Sequence, residues 1–317
     1  MLFLTYRTGV NINSKEVTLP YAVPKDDLII WVDLIKPTPE EEQWVKNRYK
    51  FSLPSEDSMT EIESSSRFLD LEDKVIANIN FIHRKKQKLR YEPVSFTLND
   101  AVLVSIRSDE KLHAFRDAYA KFRNRLKTPE NGLMVLETLI ESAIDLEADL
   151  LELQALDIST ISNRITVQRK LREEIILQIN HLQEGTMLLR QNIIDEQRMI
   201  SSFLKNRLVQ NQTYDTWKIM LKDTTSLLSH TAFQFDRLEY LQNTLLGLID
   251  VEQNRIIKLF TVATVVFMPP TLIASIYGMN FDVMPELHWV SGYPLALGMM
   301  LVSSLATLYY FKRNKWL

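Results

Sequence analysis

A mixed α+β domain, a run of long helices and a C-terminal pair of membrane-spanning helices make up the architecture that this 317-residue sequence predicts. Three observations carry that reading. Prolines punctuate the first part up to Pro129, and none follows until Pro269. Short strand-like segments rich in β-branched and aromatic residues precede that proline-free run. Two uncharged apolar runs close the chain.

The strand-like segments are Asp27–Val32, Lys74–Ile82, Val94–Leu98 and Ala101–Ile106, with Asn99-Asp100 placed as a tight hairpin between the last two. Thr38-Pro39-Glu40-Glu41 reads as a helix start: Thr38 caps, Pro39 takes the first position and Glu41 closes a capping box. The expected domains are an α/β part over 1–107, a long-helix part over 108–253 and a membrane hairpin over 254–317. In the long-helix part only Gly132, Gly185 and Gly247 interrupt a sequence of good helix formers. Glu137, Glu141, Asp145, Asp149 and Glu152 recur every three or four residues there and form one acidic stripe. A solvated face explains such a stripe; so does a surface that attracts divalent cations or a basic ring on neighbouring subunits.

Composition excludes several functions. Cysteine is absent, so disulfides, thiolate catalysis and thiolate metal sites are ruled out. The five histidines are too scattered for a local zinc motif. No phosphate-binding glycine loop, nucleophile elbow or HExxH motif is present, and an enzyme is not expected. Nucleic acid is not expected as a partner, because no face gathers Lys and Arg. Residues 254–317 hold five cationic side chains against Asp282 and Glu286, a surplus of three; the rest therefore carries six net negative charges, for a total of −3. An acidic body is joined to a basic, apolar tail.

The two runs, Leu259–Ile276 and Val290–Phe311, match the thickness of a bilayer core, with lipid as the expected partner. Arg255 and Lys258 precede the first, and Lys312, Arg313 and Lys315 follow the second. The outer loop over 277–289 has neither Lys nor Arg. Positive-inside orientation puts both termini in the cytoplasm. The N-terminal MLFLTYRTGV lacks the features of a signal peptide, which keeps the body on the same side.

The first span is not uniformly apolar. Asn254, Thr261, Met268 and Ser275 repeat every seven residues, and Ile257, Thr264, Thr271 and Gly278 do so three residues on. Together they form an a/d-type seam of mostly small or polar residues that lipid disfavours. Helix packing and a water-filled pore both explain such a seam. As a pore lining, Asn254 to Asn280 would extend roughly 40 Å. One hairpin cannot enclose a channel, so that reading requires an oligomer. Pro269-Pro270 falls inside the span and frees carbonyls on the preceding turn.

The span ends at Tyr277-Gly278-Met279-Asn280, followed by Phe281 and then Met284-Pro285-Glu286-Leu287. With Glu252-Gln253-Asn254-Arg255, Phe267-Met268-Pro269-Pro270-Thr271, Gly292-Tyr293-Pro294 and the terminal Tyr310-Phe311-Lys312-Arg313-Asn314-Lys315-Trp316-Leu317, this resembles the signature of the CorA family of magnesium transporters. The resemblance is detailed over the last quarter and a matter of layout elsewhere. It implies a homopentameric channel in a bacterial inner membrane, whose α+β cytoplasmic domains continue through long helices as a funnel. It implies Mg²⁺ influx, with Co²⁺ and Ni²⁺ also admitted, and closure when cytoplasmic Mg²⁺ binds as a regulatory ligand. Gly278, Met279 and Asn280 would form the selective mouth, Thr271 and Met268 would lie deeper, and Asn254 would sit near the inner end. The apolar gate would include Met268, Ile257 and Phe260. The family's regulatory carboxylates do not map onto individual positions, which leaves the stripe residues as candidates only. A zinc-transporting relative and a membrane-tethered scaffold are the alternative functions.

The chemistry fits hydrated Mg²⁺, which sheds water reluctantly and is usually held with waters attached. A ring of Asn280 carboxamides accepts hydrogen bonds from those waters, and Asp282 and Glu286 add negative potential outside. Asn280 can also serve as a helix C-cap.

Overall fold

In the computed structural model the described residues are 1–9, 11–19, 28–51, 53, 68–85, 88–99, 101–109, 111–167, 173–210, 213–280, 282 and 284–314. They form two compact units, Met1–Gln242 and Asn243–Leu317.

The first unit is built on a seven-stranded mixed sheet. Its strands are β1 (Leu2–Thr8), β2 (Asn11–Val17), β3 (Ile29–Ile35), β4 (Phe68–Asp70), β5 (Val75–Lys85), β6 (Lys88–Leu98) and β7 (Leu103–Arg107). They lie in the order β2-β1-β3-β7-β6-β5-β4. Among these strands only β3 and β7 pair in parallel. β3 is buried along its whole length, as a central strand covered on both faces must be. Asp27, at the edge of the expected strand, lies outside the described residues. β7 starts two residues later than expected because Asn99 organises the turn before it. Its Oδ1 accepts from Ala101 N at 3.0 Å and Val102 N at 2.7 Å.

Helix α1 (Pro39–Tyr49) begins as the sequence requires. Thr38 Oγ1 accepts from Glu41 N at 3.3 Å, and Glu41 Oε2 accepts from Thr38 N at 2.8 Å. Its Val45 packs with Leu2, Leu4, Val32 and Leu34 on one face of the sheet. The opposite face is covered by α2 (His113–Arg123), α3 (Gly132–Thr166) and α4 (Glu173–Phe203). Trp31, Phe81, Phe96 and Phe115 fill that core. A short α5 (Arg207–Gln210) leads to α6 (Tyr214–Tyr277). Within this unit α6 holds α3 through Gln234 Nε2, which donates to Leu151 O at 2.7 Å.

Gly132 is fixed by close approach. It opens α3 directly over the sheet, its N–H donating to Ala101 O at 2.9 Å. A Cβ there would stand 2.3 Å from Leu103 N and 2.6 Å from Val102 C. Backbone cannot retreat as a side chain can, so Gly132→Ala is expected to lower stability by about 1–3 kcal/mol. The check is the thermal unfolding midpoint of the purified protein beside that of wild type.

A buried polar network lies beneath α2. Arg107 Nη2 donates to Asp33 Oδ2 at 2.8 Å and its Nε to Oδ1 at 3.1 Å. Ser105 Oγ donates to Asp33 Oδ1 at 2.8 Å, and Trp31 Nε1 to Ser105 Oγ at 2.9 Å. Tyr119 completes the set, its hydroxyl 3.1 Å from Asp33 Oδ2 and its ring stacked on Trp31 with centroids 4.5 Å apart. The guanidinium also sits 4.3 Å over the Phe115 ring.

The second unit contains the rest of α6, a 3₁₀ turn (Pro285–His288) and α7 (Gly292–Arg313). Both helices are long and apolar enough to cross a membrane.

Candidate functional site

The seam residues fall on one side of α6. Asn254, Ile257, Phe260, Thr261, Thr264, Met268, Thr271, Ser275 and Gly278 are all exposed within the chain. The side packed against α7 is different: Val266 is buried, and Val262, Val265, Pro269, Pro270, Ile273 and Tyr277 are half-buried. At 100° per residue these two sets lie roughly opposite each other. The polar seam is therefore not the surface that joins the two helices of the hairpin. On α7 the matching positions are Ala296, Met300, Ser303, Ser304, Thr307 and Phe311, largely small or hydroxylated as close helix packing prefers.

The threonine hydroxyls of the seam are internally satisfied. Thr261, Thr264 and Thr271 donate to the carbonyls of Ile257, Phe260 and Phe267 at 2.9, 2.9 and 2.7 Å. Each of these threonine oxygens keeps acceptor lone pairs to present along the seam.

The helix runs through Pro269 and Pro270. Neither has an N–H, so the carbonyls four residues earlier, at Val265 and Val266, lose their ladder partners. Ser304 Oγ of α7 lies 3.4 Å from Val266 O and takes up one of them. A hydroxyl on the neighbouring helix thus repairs what the second proline removes.

The outer end closes tightly. Gly278 N donates to Ala274 O at 2.9 Å and Met279 N to Ile276 O at 3.3 Å. A Cβ on Gly278 would stand 3.1 Å from Ala274 O, so glycine lets the chain hug the last turn. Neither Gly278 nor Asn280 is among the described residues with positive φ, so the left-handed cap that Asn can supply is not formed here. Met279 and Asn280 are exposed, as is Asp282; Glu286 lies in the 3₁₀ turn and is half-buried. Phe281 of the motif lies outside the described residues.

The acidic stripe on α3 turns gradually out of the protein. Glu137 is buried, and desolvation raises its carboxyl to about 7 against the hydrogen-bonding pull of Thr213 and Trp217. Glu141 pairs with Lys127 at 2.9 Å, and Asp145 lies 3.7 Å from Lys121. Asp149 and Glu152 are exposed.

One cluster escaped the sequence reading. His83 of β5, Glu92 of β6 and Asp109 beyond β7 bring ligand atoms within 4.8 Å of one another. Strand register does this, since Glu92 pairs with Phe81 and Val94 with Arg107. His83 Nδ1 lies 3.3 Å from Asp109 Oδ2, while Glu92 Oε1 accepts from Ser108 N at 3.1 Å. An N/O divalent-metal ligand set and a histidine held between two carboxylates share this geometry. Only the pairing of the three strands could have revealed it.

The sequence profile described as "CorA-like Mg2+ transporter protein" matches residues 26–313. This chain belongs to the CorA family. A magnesium transport protein CorA from Wolinella succinogenes is 36% identical over 91% of this chain and 91% of its own length. One from Campylobacter jejuni strain RM1221 is 33% identical over 99% of this chain and 97% of its own. Among solved structures, the complete CorA magnesium transporter from Methanocaldococcus jannaschii superposes with a TM-score of 0.84 at 18% identity, covering 100% of this chain and 99% of that one. The cytoplasmic domain of ZntB from Vibrio parahaemolyticus superposes with a TM-score of 0.58 at 15% identity, over 79% of this chain and 98% of that one.

Proposed function

We propose that this CorA-family chain is one subunit of a homopentameric channel that carries Mg²⁺ into a bacterial cell. The single observation that carries the proposal is the exposed polar seam of α6, opposite the side that packs on α7 and running outward to Asn280. A face of hydroxyl, amide and methionine side chains left uncovered in an apolar helix needs water or copies of itself, and a central pore supplies both. The relatives named above as magnesium transport proteins support Mg²⁺ as the cargo.

In this reading Gly278, Met279 and Asn280 ring the outer mouth, and Asn280 carboxamides accept hydrogen bonds from the ion's own waters. Asp282 and Glu286 raise the local cation concentration. Thr271, Thr264 and Thr261 offer hydroxyl oxygens along the path, Ser275 stands just inside the mouth, and Asn254 lies near the inner end. Met268, Ile257 and Phe260 form apolar constrictions that close by excluding water. Co²⁺ and Ni²⁺ pass as similarly hydrated divalent ions. The pore lies in the inner membrane with both termini in the cytoplasm, and inward flux follows the membrane potential. The body occupies 1–107 and 108–253, and the hairpin 254–317. Cytoplasmic Mg²⁺ closes the channel, with Asp149 and Glu152 the stripe carboxylates best placed to meet solvent ions.

The test is Mg²⁺ uptake into proteoliposomes holding the purified oligomer, with cobalt(III) hexaammine outside as a mimic of the hydrated ion that cannot shed its ligands. Uptake blocked by the complex is expected. An inserted, folded oligomer that passes no Mg²⁺, or passes Zn²⁺ alone, overturns the proposal.

A further inference from the structure

Glu147 of α3 and Glu196 of α4 meet where both helices pack against β5, at 1% and 0% exposure. Asn192, one turn before Glu196 and equally buried, donates its Nδ2 to Glu147 Oε1 at 2.7 Å and to Glu196 Oε1 at 3.3 Å. Three acceptors remain buried without a donor: Glu147 Oε2, Glu196 Oε2 and Asn192 Oδ1. Two ionised carboxylates here would lose their hydration for one amide group and repel each other as well.

Among the described residues neither carboxylate is hydrogen-bonded or ion-paired to a cation. From β5 the neighbours are Phe81 and Ile82, neither of which titrates. Asp195, beside Glu196 on α4, adds negative charge. His113, at the start of α2, lines the same small cavity, its Nδ1 3.4 Å from Arg116 Nη2. Apart from His113, that cavity is lined by Phe81, Ile82, Ala114, Ala143 and Leu146, whose side chains have no hydrogen to donate to the orphaned oxygens.

We propose that Glu147 and Glu196 form a buried proton-binding site, in which carboxylic hydrogens satisfy the orphaned oxygens and proton release loosens the α3–α4 seam. Desolvation acts on both acids in that direction, taking Glu147 up to about 8 and Glu196 well above the carboxylate range, where the Glu147 charge raises it further. The sign follows from linkage. The folded protein holds protons that the unfolded chain has released, so stability falls as pH rises from the ordinary carboxylate range through about 8. The exchanged species is the proton alone, passed to solvent when the seam opens.

The test uses the full-length protein in detergent, followed by infrared spectroscopy from about pH 6 to about pH 9.5 to span the expected titration. Protonated-carboxyl absorption is expected at neutral pH, fading on the alkaline side and weaker in the E147Q/E196Q double variant, which keeps only the contribution of Glu137. Amide hydrogen exchange at one alkaline pH is expected to be about tenfold faster in wild type than in that variant, within the contacting turns of α3 and α4. Absence of the titrating band in wild type overturns the proposal without recourse to any variant. A band of undiminished intensity in the double variant, or equal exchange in the two proteins, overturns it as well.

Discussion

Replacing Asn280 with alanine is expected to cut Mg²⁺ uptake by on the order of tenfold or more, equivalent to about 1.4 kcal/mol at the barrier, with insertion and assembly unchanged. Asn280 is exposed beyond the last turn of α6 and supports no buried core, so truncation removes chemistry without a cavity. What it removes is the acceptor oxygen at the mouth, repeated by symmetry in the proposed pentamer. A hydrated ion arriving there must otherwise find partners for its bound waters from backbone alone. Flux assays on reconstituted wild type and Asn280→Ala at matched oligomer density decide the matter. Equal uptake would remove Asn280 from selectivity.

The largest loss of stability is expected at Asp33. Asp33→Ala leaves the Arg107 guanidinium buried and strips partners from Ser105 and Tyr119, at a cost of about 3–5 kcal/mol. The penalty belongs to the broken pair more than to the pair itself. Asp33→Leu combined with Arg107→Met is therefore expected to recover most of it, because neither charge is then left alone. Thermal unfolding of wild type, Asp33→Leu, Arg107→Met and the double variant measures the coupling directly. Additive losses would show that the two side chains act independently.

Much of the architecture was legible because it rests on local rules. The start of α1 needed only Thr38, Pro39 and Glu41, whereas the turn into β7 was placed at Asn99 but runs two residues longer than expected. The long helices followed from the missing prolines, and the α6 seam from a spacing of seven. Other elements are stabilised from a distance. β2 reads Asn-Ile-Asn-Ser-Lys-Glu-Val, a polar edge strand that β1 holds in place by pairing. β1 itself lies at the chain terminus, and its Leu2 and Leu4 reveal their burial only once the sheet is assembled. β6 extends back to Lys88 through Arg90 and Pro93, whose polarity and ring conceal a strand registered against β5.

The candidate site divides in the same way. Which residues of α6 share a face is periodicity, and the sequence shows it. That α7 covers the opposite face is tertiary, and it emerges from Val266, Ala296 and Phe311 being the buried members of the two spans. The acidic residues were the least legible. Glu137, Glu147 and Glu196 look in sequence like the solvated Asp149 and Glu152, yet packing buries the first three and leaves the others in water.

The adjacent prolines of α6 have a mechanical consequence. A helix resists bending through its ladder of backbone hydrogen bonds, and here two consecutive rungs are missing, one of them replaced by a hydroxyl from another helix. Flexural stiffness is therefore lowest beside Met268, where the proposed constriction lies. The proposed constriction and the softest stretch of the helix coincide. A change in bore at that depth requires only a local bend of the wall, with the turns above and below kept intact.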